Sequence, residues 1–200
     1  MKPEIEVKFL DVNHDDLRAR LKQLDAVCIQ PLQQMCRAVM DFPDKRLQNA
    51  ENAWGWIRVR DEGSRVTVTY KQVAKDASLT TNEIEYVASS YSQAVAAFEA
   101  VGLIVLSEQE TKRETWTLDN CEVMLDEWPW IKPYIEVEGP DERSIQTLSE
   151  RLGMRWASAV YGSSDAVYRA SYKGMKESES VGDISQLTFA EMPEWLKERL

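Results

Sequence analysis

A chain of 200 residues with 44% apolar and 29% charged side chains has the size and make-up of one globular domain with at most a short appendage, and no apolar run approaches the ~20 residues that a membrane helix needs. The formal charge of −10 opposes general nucleic-acid binding, which relies on many Lys and Arg residues to neutralise phosphates, so any phosphate site must gather its cations locally. Cys28, Cys36 and Cys121 lack metal-site spacing and read as reduced thiols, and the lone histidine, His14, is expected at the surface, which leaves acid–base chemistry to carboxylates, lysine, tyrosine or a bound metal ion.

The N-terminal Met1-Lys2-Pro3-Glu4-Ile5-Glu6-Val7-Lys8 enters an alternating strand over 4–10 at once. It has no basic n-region and apolar h-region of a secretory signal, so a cytoplasmic protein is expected. Leu17, Leu21, Leu24 and Val27 recur at helical spacing and predict a helix over 15–27. A strand over 33–42 ends at Pro43-Asp44, and the polar stretch 44–52 reads as a loop. Strands over 54–61 and 65–73 flank Glu62-Gly63-Ser64, a short Gly-containing hairpin connection. A loop over 75–81, a strand over 82–88 and a helix over 92–101 stopped by Gly102 follow. Strands over 107–118 and 121–128 meet at Asp119-Asn120, a two-residue turn by composition, and a last strand spans 134–138. Helices are expected over 144–152 and 164–173. The domain then spans 1–175, and 176–200 is a flexible acidic tail with a short C-terminal helix.

Successive strand side chains point to opposite faces, so each strand can be sorted by parity. Glu4, Glu6 and Lys8 oppose Ile5, Val7 and Phe9; Arg58 and Arg60 oppose Ile57 and Val59; Thr67, Thr69 and Lys71 oppose Val66, Val68 and Tyr70. Glu83 and Glu85 oppose Ile84 and Tyr86; Glu122, Met124 and Asp126 oppose Val123 and Leu125; Glu136 and Glu138 oppose Ile135 and Val137. One such strand fits any sheet with a wet face. Six of them, with Glu-x-Glu three times and Arg-x-Arg once, place like charges side by side, and these repel unless opposite charges or a bound ion offset them. The fold class that uses this pattern is α+β: a closed antiparallel eight-stranded β-barrel whose apolar parity faces outward under the helices and whose charged parity lines a tunnel. Lys8, Arg58, Arg60, Lys71 and Arg113 could clamp phosphate oxygens there, while the carboxylates suit Mg²⁺. Trp54 and Trp56 share the parity of the tunnel arginines, and Trp56 is a candidate to touch substrate.

Glu4-Ile5-Glu6-Val7-Lys8 resembles the N-terminal Glu-x-Glu-x-Lys signature of the CYTH superfamily, the triphosphate tunnel metalloenzymes. The likeness continues in order through Arg58-x-Arg60, Thr69-Tyr70-Lys71, Glu83-x-Glu85, Lys112-Arg113, Asp126 and Glu136-x-Glu138. That family comprises thiamine triphosphatases, inorganic tripolyphosphatases, RNA triphosphatases and class IV adenylyl cyclases. The resemblance implies that Lys8, Arg58, Arg60, Lys71 and Arg113 bind the triphosphate and that Glu4, Glu6, Asp126, Glu136 and Glu138 hold Mg²⁺, or Mn²⁺ in its place. Catalysis would rest on Glu4, Glu6 and the same five cations, with Glu83, Glu85 and Lys112 supporting the tunnel. The family's further basic residue from the C-terminal helix has Lys173 and Arg169 as candidates, and of the neighbours Lys112 and Arg113, which have opposite parity, Arg113 is expected inward. Glu127-Trp128-Pro129-Trp130-Ile131-Lys132-Pro133 stands where the family has a glycine-containing segment. The expected function is hydrolysis of a small triphosphate (tripolyphosphate, a nucleoside triphosphate or thiamine triphosphate). The alternatives are an adenylyl cyclase making cyclic AMP and pyrophosphate, or a sensor that binds without turnover. No membrane partner is expected, and a homodimer is left open.

Overall fold

The computed structural model describes residues 2–51, 53–74, 80–177 and 179–199, and only the backbone at 2–4, 74, 80 and 81. The alternating segments fold as β1 (Lys2–Leu10), β2 (Val27–Asp41), β3 (Ala53–Asp61), β4 (Val66–Ala74), β5 (Thr80–Ala88), β6 (Ile104–Leu118), β7 (Cys121–Glu127) and β8 (Tyr134–Gly139). A two-residue β9 (Gln186–Leu187) follows. The helices are α1 (His14–Gln23), α2 (Tyr91–Ala100), α3 (Glu142–Arg151), α4 (Ser164–Ser171) and α5 (Glu194–Lys197). Of the 75–81 segment expected as a loop, Thr80 and Thr81 already belong to β5, and 75–79 lie outside the described residues.

Local chemistry sets these boundaries. The Asn13 side chain accepts the N–H groups of Asp15 and Asp16 and starts α1, and Asp141 accepts the Ser144 N–H at the start of α3. Asp119 and Asn120 both adopt positive φ, +53° and +62°, the conformation that a tight two-residue hairpin needs and that short Asx side chains tolerate.

The strands hydrogen-bond in the order β2-β3-β4-β5-β1-β8-β7-β6, and β6 pairs back to β2 from Ile104↔Asp41 to Thr117↔Val27, so eight antiparallel strands form a closed ring. β9 adds a parallel two-residue rung outside β6. Val7, Phe9, Val123, Leu125, Ile135 and Val137 project outward into one buried cluster with Leu17 and Leu21 of α1 and Ile145 and Leu148 of α3. Ala38, Met40, Val59 and Val68 do the same beneath Val95 and Phe98 of α2. Each such fully buried aliphatic or aromatic side chain contributes about 1.5–3 kcal/mol. The hydrophobic core therefore lies between the barrel wall and the helices, and the lumen is free to carry charge.

Two expectations change. The stretch after Gly174 is not a detached flexible tail: Leu187 and Leu196 are fully buried with Tyr168 of α4 and Tyr172 just beyond its end, and Ser107 donates to the Ile184 carbonyl at 2.6 Å. Scattered single apolar residues in a polar segment carry too weak a period to reveal such docking. His14 is not at the surface either; it is 8% exposed, and its Nε2 donates to the Tyr134 carbonyl at 3.0 Å. Among the described residues no helix is long and apolar enough to cross a membrane.

Candidate functional site

β1 lies between β5 and β8, and its register with β8 sets Glu6 opposite Glu138 and Lys8 opposite Glu136. β7 continues the row on the other side of β8, with Glu122 opposite Glu138 and Met124 opposite Glu136. Three carboxylates from neighbouring strands thus stand side by side. On the far wall Arg60 faces Thr67, Arg58 faces Thr69 and Trp56 faces Lys71; β5 then brings Glu85 to Thr69 and Glu83 to Lys71.

The lumen side chains bond to one another. Lys8 Nζ meets Glu6 at 2.6 Å and Glu136 at 3.5 Å. Arg113 makes two bonds to Asp126, at 2.7 and 2.6 Å, and one to Glu136 at 2.6 Å. Arg58 donates to Thr69 at 3.1 Å and stands 3.7 Å from Glu85, which in turn accepts from Thr69 at 2.8 Å; Lys71 is 3.5 Å from Glu83. Arg60 donates through Nε to Glu62 at 2.7 Å, and Arg65 and Thr67 also donate to Glu62.

Exposure gives the tunnel a direction. Glu85, Glu6 and Glu83 are 33%, 22% and 22% exposed at one end, whereas Lys8 and Asp126 are 2% and 1% exposed deeper in. The deep end is shut by rings: Trp128 and Tyr134 pack with Tyr168, whose hydroxyl donates to the Pro129 carbonyl at 2.6 Å. The segment Glu127–Pro133 is therefore a stopper rather than an entrance. The open cleft of about 440 Å³ beside Asp11, His14 and Lys132 lies outside the barrel wall and shares none of the lumen cations.

Electrostatics follow from burial and crowding. Burial, then the neighbouring Arg60, lowers the Arg58 guanidinium to about 10. Arg37, facing Arg60 across β2 and β3, is lowered for the same reasons, by burial first and then by Arg60, Arg58 and Arg113. Burial alone would raise Glu136, but Arg113, Lys8 and Lys71 outweigh it and hold that carboxyl at about 2. Asp126 moves the other way: burial raises it in spite of Arg113, and Glu136 adds to the rise. Lys8 is raised, because Glu136 and Glu6 overcome the effect of its burial.

The expected residues thus line the lumen in four ion-paired groups, Glu6 and Lys8 with Glu136, Arg113 and Asp126, Arg58 with Glu85, Lys71 with Glu83, and Arg60 with Glu62, and Glu138 stands in register with Glu6. The Glu4 side chain lies outside the described residues. Lys112 points away, pairing with Glu127 at 3.3 Å and lying over the Phe189 ring. Lys173 is exposed beyond the end of α4, and Arg169 donates to the carbonyls of Glu177 and Glu179, so the described structure brings neither into these groups. Arg37 and Glu62 escaped the sequence reading. Arg37 shares its parity with Met35 and Val39, which hides the alternation, and Glu62 sits in a turn that composition marks only as a connection.

Among the described residues no three His, Cys, Asp or Glu side chains converge into a closed metal shell. Glu6 and Glu138 are nevertheless directly opposed like charges near the open end, with Glu136 one step deeper, an all-oxygen donor set that a divalent ion would relieve and that suits Mg²⁺, which typically takes one or two carboxylates plus phosphate oxygens.

A model of the CYTH domain matches residues 2–164. Among solved structures the chain is similar to a candidate adenylate cyclase from Vibrio parahaemolyticus (16% identity, TM-score 0.69, 83% of this chain and 98% of that one). It is also similar to a Pyrococcus horikoshii protein (20%, 0.63, 78% and 93%). A third is a Hippeastrum protein, first described as an adenylyl cyclase, whose dominant activity is that of a triphosphatase (15%, 0.54, 85% and 96%). At these identities the likeness is one of fold. A comparison with curated proteins finds no match.

Proposed function

We propose that this chain, which belongs to the CYTH domain family, hydrolyses a small triphosphate drawn into the barrel, with Mg²⁺ as the divalent ion and Mn²⁺ as its substitute. The observation that carries this reading is the gathering of Arg37, Arg58, Arg60 and Arg113 on the lumen face, with Arg37 and Arg60 directly opposed in register, and burial together with neighbouring arginines lowers Arg37 and Arg58. Such crowding is costly in an empty lumen and is offset by a polyanion, for which the planar guanidinium fork is well suited.

In this reading Arg58, Arg60, Lys71 and Arg113 hold the phosphate chain and neutralise the charge that builds on its bridging and leaving oxygens. Glu62 fixes the Arg60 guanidinium, and Thr69 with Glu85 fixes Arg58, so both are oriented before substrate arrives. Lys8, tied to Glu6 and Glu136, sits between the cationic wall and the acidic one. Glu6, Glu136 and Glu138 would hold Mg²⁺, with Glu4 and Asp126 the other carboxylates of the expected set. When bound, the ion supplies Lewis-acid polarisation of the phosphate oxygens. The proposed substrate is a small molecule of the cytoplasm rather than a nucleic acid or a lipid.

The test is product analysis after the protein meets tripolyphosphate, ATP and thiamine triphosphate separately, each with Mg²⁺, Mn²⁺ or EDTA. Phosphate release that EDTA abolishes is the expected result. Cyclic AMP and pyrophosphate from ATP would make the protein a cyclase, and tight binding without turnover would make it a sensor.

A further inference from the structure

Arg37 stands apart from the other lumen cations. It is 6% exposed, yet among the described residues no carboxylate pairs with it. Its guanidinium donates once, to Thr111 Oγ1 at 2.6 Å, lies 4.7 Å over the Trp128 ring, and leaves Nε without a partner. A buried cation held only by a hydroxyl and a ring face is an unfinished arrangement, because Asp126 acts on it only at a distance and no bonded carboxylate offsets its desolvation. Two more polar atoms at the same end are also unmatched: Trp128 Nε1 and the Tyr134 hydroxyl, on side chains 6% and 1% exposed. Each of the three can donate a hydrogen bond, and native interiors rarely strand several donors together.

An acceptor-only anion is the kind of partner these donors lack. The groups flanking them agree, since Arg60 faces Arg37 across the strand pair and the Arg113–Asp126 pair adjoins Tyr134. We propose that Arg37, Trp128 and Tyr134 form an oxyanion subsite at the closed end of the tunnel that seats the terminal phosphoryl group of the substrate. The proposal rests on the reading of the lumen as a triphosphate site and adds a polarity to it: the unesterified end of the chain enters first, and any organic group stays toward Glu6 and Glu85 at the open end. A terminal phosphoryl group carries three free oxygens, acceptors for the three unmatched donors, whereas a phosphodiester capped on both sides has no free end to present.

The experiment uses the full chain and its Arg37→Met and Tyr134→Phe variants. Melting temperature is recorded without anion and with orthophosphate or tripolyphosphate, and dissociation constants are obtained by calorimetry. Without anion, Arg37→Met should melt at or above the wild-type temperature, because an uncompensated cation has been removed. Its orthophosphate and tripolyphosphate affinities should fall by roughly 10- to 100-fold, and Tyr134→Phe, which loses only a hydroxyl, should fold normally and weaken orthophosphate by roughly fivefold. Diadenosine triphosphate, esterified at both ends, should fail to compete with tripolyphosphate.

A lower anion-free melting temperature in Arg37→Met with undiminished orthophosphate binding would reduce Arg37 to a strut for Trp128 and overturn the subsite. Tight binding of diadenosine triphosphate would overturn the polarity. Phosphate release from triphosphates with unchanged affinity in both variants keeps the hydrolase and discards the subsite. Arg37-dependent orthophosphate binding in a protein that turns nothing over keeps the subsite and discards the hydrolase.

Discussion

The two faces of the barrel wall are built from alternate residues of the same strands and follow opposite rules. On β8, Ile135 and Val137 point outward and are fully buried against α3, while Glu136 between them points inward to Lys8 and Arg113. The outer face gains stability from apolar area removed from water, and any small volume change there leaves a cavity. The inner face collects like charges in register, Glu6 with Glu138 and Arg37 with Arg60, at a cost that the lumen ion pairs of Glu6 with Lys8 and Arg60 with Glu62 offset in part and that a bound polyanion and cation would offset further. One parity holds the fold together and the other is kept ready for ligand.

The sharpest way to break this comparison is to cross the two faces. Ile135→Ala on the outer face should lower stability by about 2–5 kcal/mol, read by chemical denaturation, while turnover per folded molecule stays unchanged. Arg58→Ala on the inner face should do the reverse: the same denaturation midpoint within error, but kcat/KM reduced roughly 100- to 1000-fold with the loss falling mainly on triphosphate binding. A large stability loss in Arg58→Ala would show that the lumen, too, is a folding core. Glu6→Gln should be milder, with an anion- and metal-free melting temperature equal to or above wild type and a diminished rise on adding Mg²⁺.

A pH titration of stability separates the carboxylates by sign. Glu136 is held at about 2, below its ordinary value of 4.5, so its contribution is complete above about pH 4.5 and is lost as pH falls toward 2. Asp126 is raised instead, and its protonation offsets part of that loss from a higher pH onward. Glu136→Gln should flatten the acid limb in denaturation measured from pH 6 to pH 2. The smallest effect belongs to Lys173→Ala: exposed outside the lumen groups, it should change stability by less than about 0.5 kcal/mol and leave kcat/KM within twofold.

Much of the lumen was readable because a strand's period is two and the charged residues kept to one parity. That rule lets only one of Lys112 and Arg113 point inward, and the structure sets the favoured Arg113 on Asp126 and Lys112 on Glu127. The hairpin at Asp119-Asn120 was readable because positive φ selects those residues. Where the period is blurred the reading failed. Met35 and Val39 flank Arg37 with its own parity, so nothing local marked it as a lumen residue.

By itself, then, the sequence determined the alternation, the turns and the inverted placement of charge, because these depend on neighbours two residues apart and on local backbone preference. Only the tertiary structure decided what depends on distant partners. Closure of β6 onto β2 brings Arg37 to Thr111, folding of the polar C-terminal segment against α4 buries Leu187 and Leu196, and the approach of Tyr134 makes His14 an interior residue. Each of these is set by packing between segments far apart in the chain, and no period along one segment encodes it.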